Sequence, residues 1–333
     1  MTRTPFTVAA LLLTGSVLAA QTPQRTYRVA GGHRDGVSVF QRVDYAQVKP
    51  LKDGEVDFQH YHTYEEATAL LKKWAAAHPD LVELYSVGQS LEGREIWQIT
   101  ITNKKTGKHT DKPALFIEGG RHAGEISGIE ATLYVINHVL SNYGTDPAMT
   151  KLVDTKTLYA KPHNNPDGAS LYHYTAQTLR STVRPDDNDG DGLFDEDGGE
   201  DLDGDGFIRQ MRKFVGAGKG SARVDARDPK GRLMQRVAQG QGDYDLYSEG
   251  WDNDGDGRIN EDGIGGLDLH RNYPENWRPM REETGRGYTQ GGAGAYPLSE
   301  PETKAVFMFL ITHPNVAIVQ SLDTAVPMIL RGP

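Results

Sequence analysis

The apolar residues of this chain switch repeatedly between helical and extended spacing, and that alternation restricts the fold more than any other feature. Ala67, Leu70, Leu71 and Trp74 share one face of a helix that opens at the capping pair Thr63 and Glu66 and stops before Pro79. Val82–Val87 and Ile96–Thr102 read as strands on either side of a turn at Glu92-Gly93. Ala114–Glu118 reads as a short buried strand, and Ile126, Ile129, Leu133, Ile136 and Leu140 mark a helix running from Glu125 to about Leu140. Leu158–Lys161 is a further strand, ended by the turn Asn165-Pro166-Asp167-Gly168. Ser299 and Glu302 make a second capping box, with Pro301 in the first turn of a helix reaching Thr312, and Val316–Leu322 reads as a buried strand. Strands alternating with helices predict an α/β fold, a mixed central sheet with helices on both faces.

Length and termini divide the chain. Its 333 residues suit one large domain or two modest ones. Arg3, the apolar run Val8–Leu18 and the small-residue site Val17-Leu18-Ala19 resemble a secretory signal over residues 1–19. Residues 20–57 are polar and irregular and form a lead-in; the main domain is expected over 58–333. The leader's apolar core is too short to span a bilayer and no other long apolar run follows, so the expectation is an exported protein with no membrane partner. Cysteine is absent, which excludes thiolate metal sites and cysteine nucleophiles, and leaves packing or bound metals to stabilise an exported fold.

The net charge of −10 is local. Residues 186–205 hold eleven acids and no base, and 252–262 hold five acids and one Arg; elsewhere 30 acids face 35 bases. Nothing suggests a nucleic-acid footprint. Within the acidic insertion, 186–262, one pattern recurs in three loops. Asp187, Asp189 and Asp191 precede Gly192; Asp201, Asp203 and Asp205 precede Gly206; Asp252, Asp254 and Asp256 precede Gly257. Acids at positions 1, 3 and 5 with Gly at 6 wrap oxygen ligands around a hard cation, which predicts up to three structural calcium ions. Phe194, Ile208 and Ile259 fall at position 8, where such loops anchor an apolar side chain. Position 12 is Gly198, Arg212 or Gly263, so Asp195, Asp197, Glu261 and Asp262 are candidates to complete the coordination. A solvated acidic loop is the alternative.

After the strand Ala114–Glu118 the chain reads Gly119-Gly120-Arg121-His122-Ala123-Gly124-Glu125. A glycine turn that then offers His122 and Glu125 can set an imidazole and a carboxylate around one zinc ion. A His-x-x-Glu pair is also a common surface pattern at a helix start.

With these motifs in order, the chain resembles the zinc carboxypeptidases of the carboxypeptidase A type from about Tyr61 onward, and the acidic insertion is similar to that of a bacterial exported branch. Leu91-Glu92-Gly93-Arg94 resembles the family's turn between early strands, and Asn165-Pro166-Asp167-Gly168 its Asn-Pro-Asp-Gly turn. His122 and Glu125 match its first two zinc ligands. The segment from Gly266 to Asn272 looks like the one that binds the substrate's terminal carboxylate, through His270 and Arg271. Arg184 lies where the resemblance places the Arg that steadies the developing oxyanion. The implied activity is hydrolysis of C-terminal residues from a peptide with a free C-terminus, by zinc-activated water.

The resemblance also exposes departures. The third zinc ligand, a His in the family, aligns with Asp323, and a carboxylate there lowers the metal's Lewis acidity and favours harder ions. His270 stands where the family carries Asn. No Glu follows Glu302, so the family's general-base Glu is not matched, and the expectation is a chain incomplete at its C-terminus, lacking final strands and helices. A non-catalytic binder of peptides or cell-wall fragments and a related zinc amidohydrolase remain as alternatives.

Overall fold

The computed structural model describes residues 50–180, 182–187, 189–275, 277, 290–324 and 328–330, with the backbone of 26–30 and 37–41. The expected signal segment and Arg331-Gly332-Pro333 lie outside these residues. The lead-in is not wholly irregular: β1 (Thr26–Ala30) and β2 (Val37–Gln41) pair antiparallel.

Five strands make the central sheet: β3 (Val82–Gln89), β4 (Glu95–Ile101), β5 (Ala114–Gly119), β6 (Thr157–Lys161) and, beyond the insertion, β11 (Val316–Leu322). Their order is β11-β5-β6-β4-β3, with β11, β5 and β6 parallel and β4 and β3 antiparallel, a mixed sheet. Helices lie on both faces. α1 (Tyr64–Ala77) opens on the expected capping box, with Thr63 and Glu66 bonding each other's backbone. Its buried face joins α2 (Ile126–Asn142), α3 (Pro147–Thr155) and the inward residues Ile99, Ile117 and Leu158 in the main core. On the other face Phe116 and Tyr159 pack against Val306 and Phe309 of α5 (Pro301–Thr312). Ile117 and Phe116 thus point to opposite sides, as the two-residue strand period requires.

Several details depart from expectation. The Asn165-Pro166-Asp167-Gly168 turn begins α4 (Pro166–Tyr174): Asn165 caps it by accepting the Gly168 N–H at 3.0 Å, and Pro166 takes the first turn where its missing N–H costs nothing. The second capping box does not form. Glu300, one residue past Ser299, is the cap residue of α5 and makes no side-chain capping bond, while Ser299 Oγ accepts from Asn272 Nδ2 at 2.9 Å and donates to Glu300 Oε1 at 3.1 Å. Among the described residues β11 is an edge strand rather than a buried one, with Ile318 62% and Val319 52% exposed, because only β5 pairs with it there.

Between the acidic loops lies a second sheet that the sequence pattern did not reveal. β7 (Gln210–Phe214), β8 (Ala222–Val224), β9 (Met234–Arg236) and β10 (Tyr244–Ser248) form an antiparallel sheet in the order β7-β10-β8-β9.

Candidate metal centre

The three parallel strands deliver their C-terminal ends to one place, the usual site of ligand binding in such sheets. β5 runs into His122 and Glu125, β6 into Asn164 and Asn165, and β11 into Asp323. Beyond the strands the pairing continues: Asn164 N–H reaches Gly119 O at 3.0 Å and Asn165 N–H reaches Gly120 O at 2.9 Å. Two glycines draw the elements together. A β-carbon on Gly119 would collide with the Gly128 carbonyl, and one on Gly128 would sit 2.5 Å from Leu322 O. Only hydrogen at both positions lets the first turn of α2 lie against the ends of β5 and β11, which sets Glu125 beside Asp323.

His122 is 3% exposed and bonded on both ring nitrogens. Its Nε2 lies 3.2 Å from Asp268 Oδ1, and its Nδ1 lies 2.9 Å from Glu125 Oε1 and 3.9 Å from Asp323 Oδ1. Glu125 is fixed in turn, because its Oε2 accepts the Thr324 N–H at 3.0 Å. Burial opposes charge on the ring, but the bonds to Asp268 and Glu125 outweigh it and raise the His122 pKa to about 9. One imidazole among three carboxylates therefore holds a proton where the donor set suits a cation. Nitrogen at Nδ1 with carboxylate oxygens from Glu125 and Asp323 is a donor set that zinc accepts.

His270 bridges Arg121 and Asp323. Arg121 Nη1 donates to His270 Nδ1 at 3.2 Å, which leaves the proton on Nε2, and Nε2 donates to Asp323 Oδ2 at 3.0 Å. Arg121 is itself ion-paired with the fully buried Glu118, whose other oxygen accepts from Asn164 Nδ2 at 3.0 Å. The His270 bond, against the opposing effect of burial, holds the Asp323 carboxyl below its ordinary pKa. The His122, His270 and Asp323 donor atoms all lie within 4.8 Å of one another.

The two expected arginines part company. Arg271 stays close, with Nε 3.7 Å from Asp268 Oδ2 and Nη1 donating to Gly291 O. Arg184 is engaged by Glu300, its Nε donating to the two carboxylate oxygens at 3.0 and 3.2 Å. Arg180 also reaches the cluster: it donates from Nε to Asp268 Oδ2 at 3.0 Å and sets Nη1 3.8 Å from Glu125 Oε1. Sequence reading missed both Arg180 and Asp268. The signal for Arg180 is tertiary, since the Ala123 N–H bonds its carbonyl at 2.8 Å. Asp268 carried a local signal, an acid two residues before His270 in the segment already singled out.

The zinc carboxypeptidase family model matches residues 67–232. Carboxypeptidase A2 of Rattus norvegicus is 34% identical over 131 residues, covering 39% of this chain and 30% of that protein. Zinc carboxypeptidase of Saccharothrix mutabilis subsp. capreolus is 31% identical over 161 residues, covering 44% and 36%. The chain belongs to the zinc carboxypeptidase family. The carboxypeptidase A structure from Helicoverpa armigera shares the fold, with a TM-score of 0.53 at 19% identity over 90% of this chain and 58% of that one. Carboxypeptidase D of Anas platyrhynchos matches over 34% of this chain and 8% of its own length, so the chain spans well under half of these curated relatives.

Two of the motifs that mark this zinc carboxypeptidase-family chain meet in space. Asp167 accepts from Ser90 Oγ at 2.6 Å, from the Glu92 N–H at 2.9 Å and from Arg94 Nη1 at 2.8 Å. The Leu91–Arg94 turn is thereby tied to the start of α4.

The three acidic loops fold alike. In each, the first Asp accepts the N–H of residues 4 and 6, as Asp187 does from Gly190 at 2.6 Å and Gly192 at 3.1 Å. Asp201 and Asp252 repeat this with Gly204 and Gly206, and with Gly255 and Gly257. Glycine suits these positions because the chain turns through positive φ, 87° at Gly190 and 93° at Gly192. Phe194 is 38% exposed and so is not a firmly buried anchor.

Proposed function

We propose that this chain binds zinc through His122 Nδ1, Glu125 and Asp323 and acts on peptides with a free C-terminus, releasing the terminal residue by hydrolysis. The convergence of those three donors at the ends of parallel strands carries the reading. Zinc, when bound, would polarise the scissile carbonyl and lower the pKa of a water. The remaining roles belong to the protein. Asp268 holds the His122 ring so that Nδ1 faces the donors. His270 orients Asp323 by donating to its outer oxygen, which makes it a positioning residue beside Arg271. Arg271 receives the substrate's carboxylate, where a planar fork matches two oxygens. Arg180, rather than Arg184, steadies negative charge developing on the carbonyl oxygen.

The three Asp loops bind calcium in a structural role, and residues 1–19 direct export. Among the described residues no helix is long and apolar enough to cross a membrane. A second reading, peptide binding without turnover, draws support from the donor set, since two carboxylates on zinc leave it less positive than one carboxylate would.

The test uses zinc-loaded protein with matched peptides bearing a free or an amidated C-terminus. Release of the terminal residue from the free peptide alone, stopped by a chelator, supports hydrolysis. Preferential binding of the free peptide without release supports the second reading. Equal handling of both peptides sinks the role of Arg271.

A further inference from the structure

The first and third acidic loops are not separate units. An antiparallel bridge joins Asp197 to Asp262, the eleventh residues of loops that begin at Asp187 and Asp252. Each of these acids is fully buried and reaches into the opposite loop. Asp197 accepts the N–H of Asn253 at 3.4 Å and of Asn260 at 3.2 Å, and Asp262 Oδ2 accepts the Asp195 N–H at 3.2 Å. The carboxylate groupings cross in the same sense. Asp197 clusters with Asp252 and Asp254, while Asp262 clusters with Asp187 and Asp189, each set having donor atoms within 4.8 Å of one another.

An independent observation points to a missing cation. Glu196 is 8% exposed, neither of its carboxylate oxygens accepts a hydrogen bond, and it lies in a group with Asp189 and Asp191. Both oxygens of Glu261, grouped with Asp189, Asp254 and Asp256, are likewise buried without a donor. Four buried carboxylate oxygens without donors, facing other carboxylates, are strongly unfavourable unless a positive ion sits among them. Oxygen-only ligands with this charge density select a hard divalent cation.

We infer that loops one and three form a single two-ion site in which the loops exchange ligands, Asp197 completing the ion held by Asp252 and Asp254, and Asp262 completing the ion held by Asp187 and Asp189. This rests on the calcium reading and goes beyond it, because neither loop is then a self-sufficient calcium loop. Each ion closes a contact that the other needs, so binding at the two positions is coupled. The pair also clamps the ends of the segment that carries β7–β10, which has no disulfide to do so.

Trp251 directly precedes Asp252, so terbium luminescence excited through it reads the loop-three ion in the full chain. Loss of the signal in Trp251→Phe establishes the assignment. Asp254→Asn, a loop-three ligand, sets the scale, with at least about a tenfold rise in half-saturating terbium. Asp197→Asn should raise it as much, although Asp197 belongs to loop one, whereas Asp262→Asn should raise it less. Both exchanged residues lie in one bridge, so general damage to the fold would affect them equally and the inequality would vanish. Self-contained loops give the reverse order, with Asp262→Asn the more severe, and that order or equal effects overturns the exchange. A wild-type chain that binds neither terbium nor calcium overturns the calcium reading itself.

Discussion

Asp268 Oδ1 lies 3.2 Å from His122 Nε2, and this contact decides which nitrogen of the ring faces Glu125 and Asp323. The Asp268 carboxyl is held far below its ordinary pKa: burial opposes ionisation, but the His122 bond and the Arg180 charge more than reverse it. It therefore stays an acceptor throughout the neutral range. Asp268→Asn keeps the shape and weakens the acceptor, and should lower zinc affinity about 10–100-fold with little change in fold. Competition with a chromophoric zinc chelator, alongside circular dichroism, measures both.

Metal binding should release a proton. The His122 pKa of about 9 lies above the ordinary 6.5, so the metal-free folded state favours the imidazolium. That contribution to stability is fully present below pH 6.5 and is lost as pH rises through about 9. Zinc requires the neutral ring, so between these pH values each zinc displaces about one proton and apparent affinity falls about tenfold per unit of acidification. Calorimetry in buffers of different ionisation enthalpy counts the proton. No proton released at pH 7 would remove His122 from the site.

Gly128→Ala tests the close approach of α2 to β11. The new β-carbon would sit 2.5 Å from Leu322 O and push the strand end, with Asp323, away from Glu125. A loss of about 1–3 kcal/mol in a denaturant titration is expected, together with weaker zinc binding. A variant with unchanged stability and metal affinity would show that this contact does not set the site.

The sequence carried most of the frame. Apolar patterning located β3 to β6, α1 and α2 to within a few residues, through the buried stripes of the two helices and the apolar runs of the strands. It did not reveal β7–β10, which are short, rich in polar and charged residues, and half-buried or exposed at all but one position. Val316–Leu322 read as buried because it is continuously apolar up to Val319, yet burial depends on neighbours that no local pattern specifies. Motif matching brought out His122, Glu125, His270, Arg271 and Asp323, which do converge. It named Arg184 and gave no sign of Arg180, whose place beside the cluster follows from the tertiary pairing of its carbonyl with the Ala123 N–H.

Asp167 offers a stability prediction independent of metal. It is 2% exposed and satisfies Ser90, the Glu92 backbone and Arg94 at once. Asp167→Ala removes one buried acceptor shared by three donors, while Arg94 keeps its ion pair with Glu92, and should cost about 1–3 kcal/mol. Urea unfolding reads the loss; a cost below about 1 kcal/mol, the scale of an exposed pair, would contradict the buried network.

The most direct test is a diffraction experiment at the zinc absorption edge on crystals of the zinc-loaded chain. The account predicts one anomalous peak at bonding distance, about 2.0–2.2 Å, from His122 Nδ1 and from oxygens of Glu125 and Asp323, with His270 bonded to Asp323 rather than to the metal. A peak bound elsewhere, or no peak near His122 at full zinc loading, would contradict it.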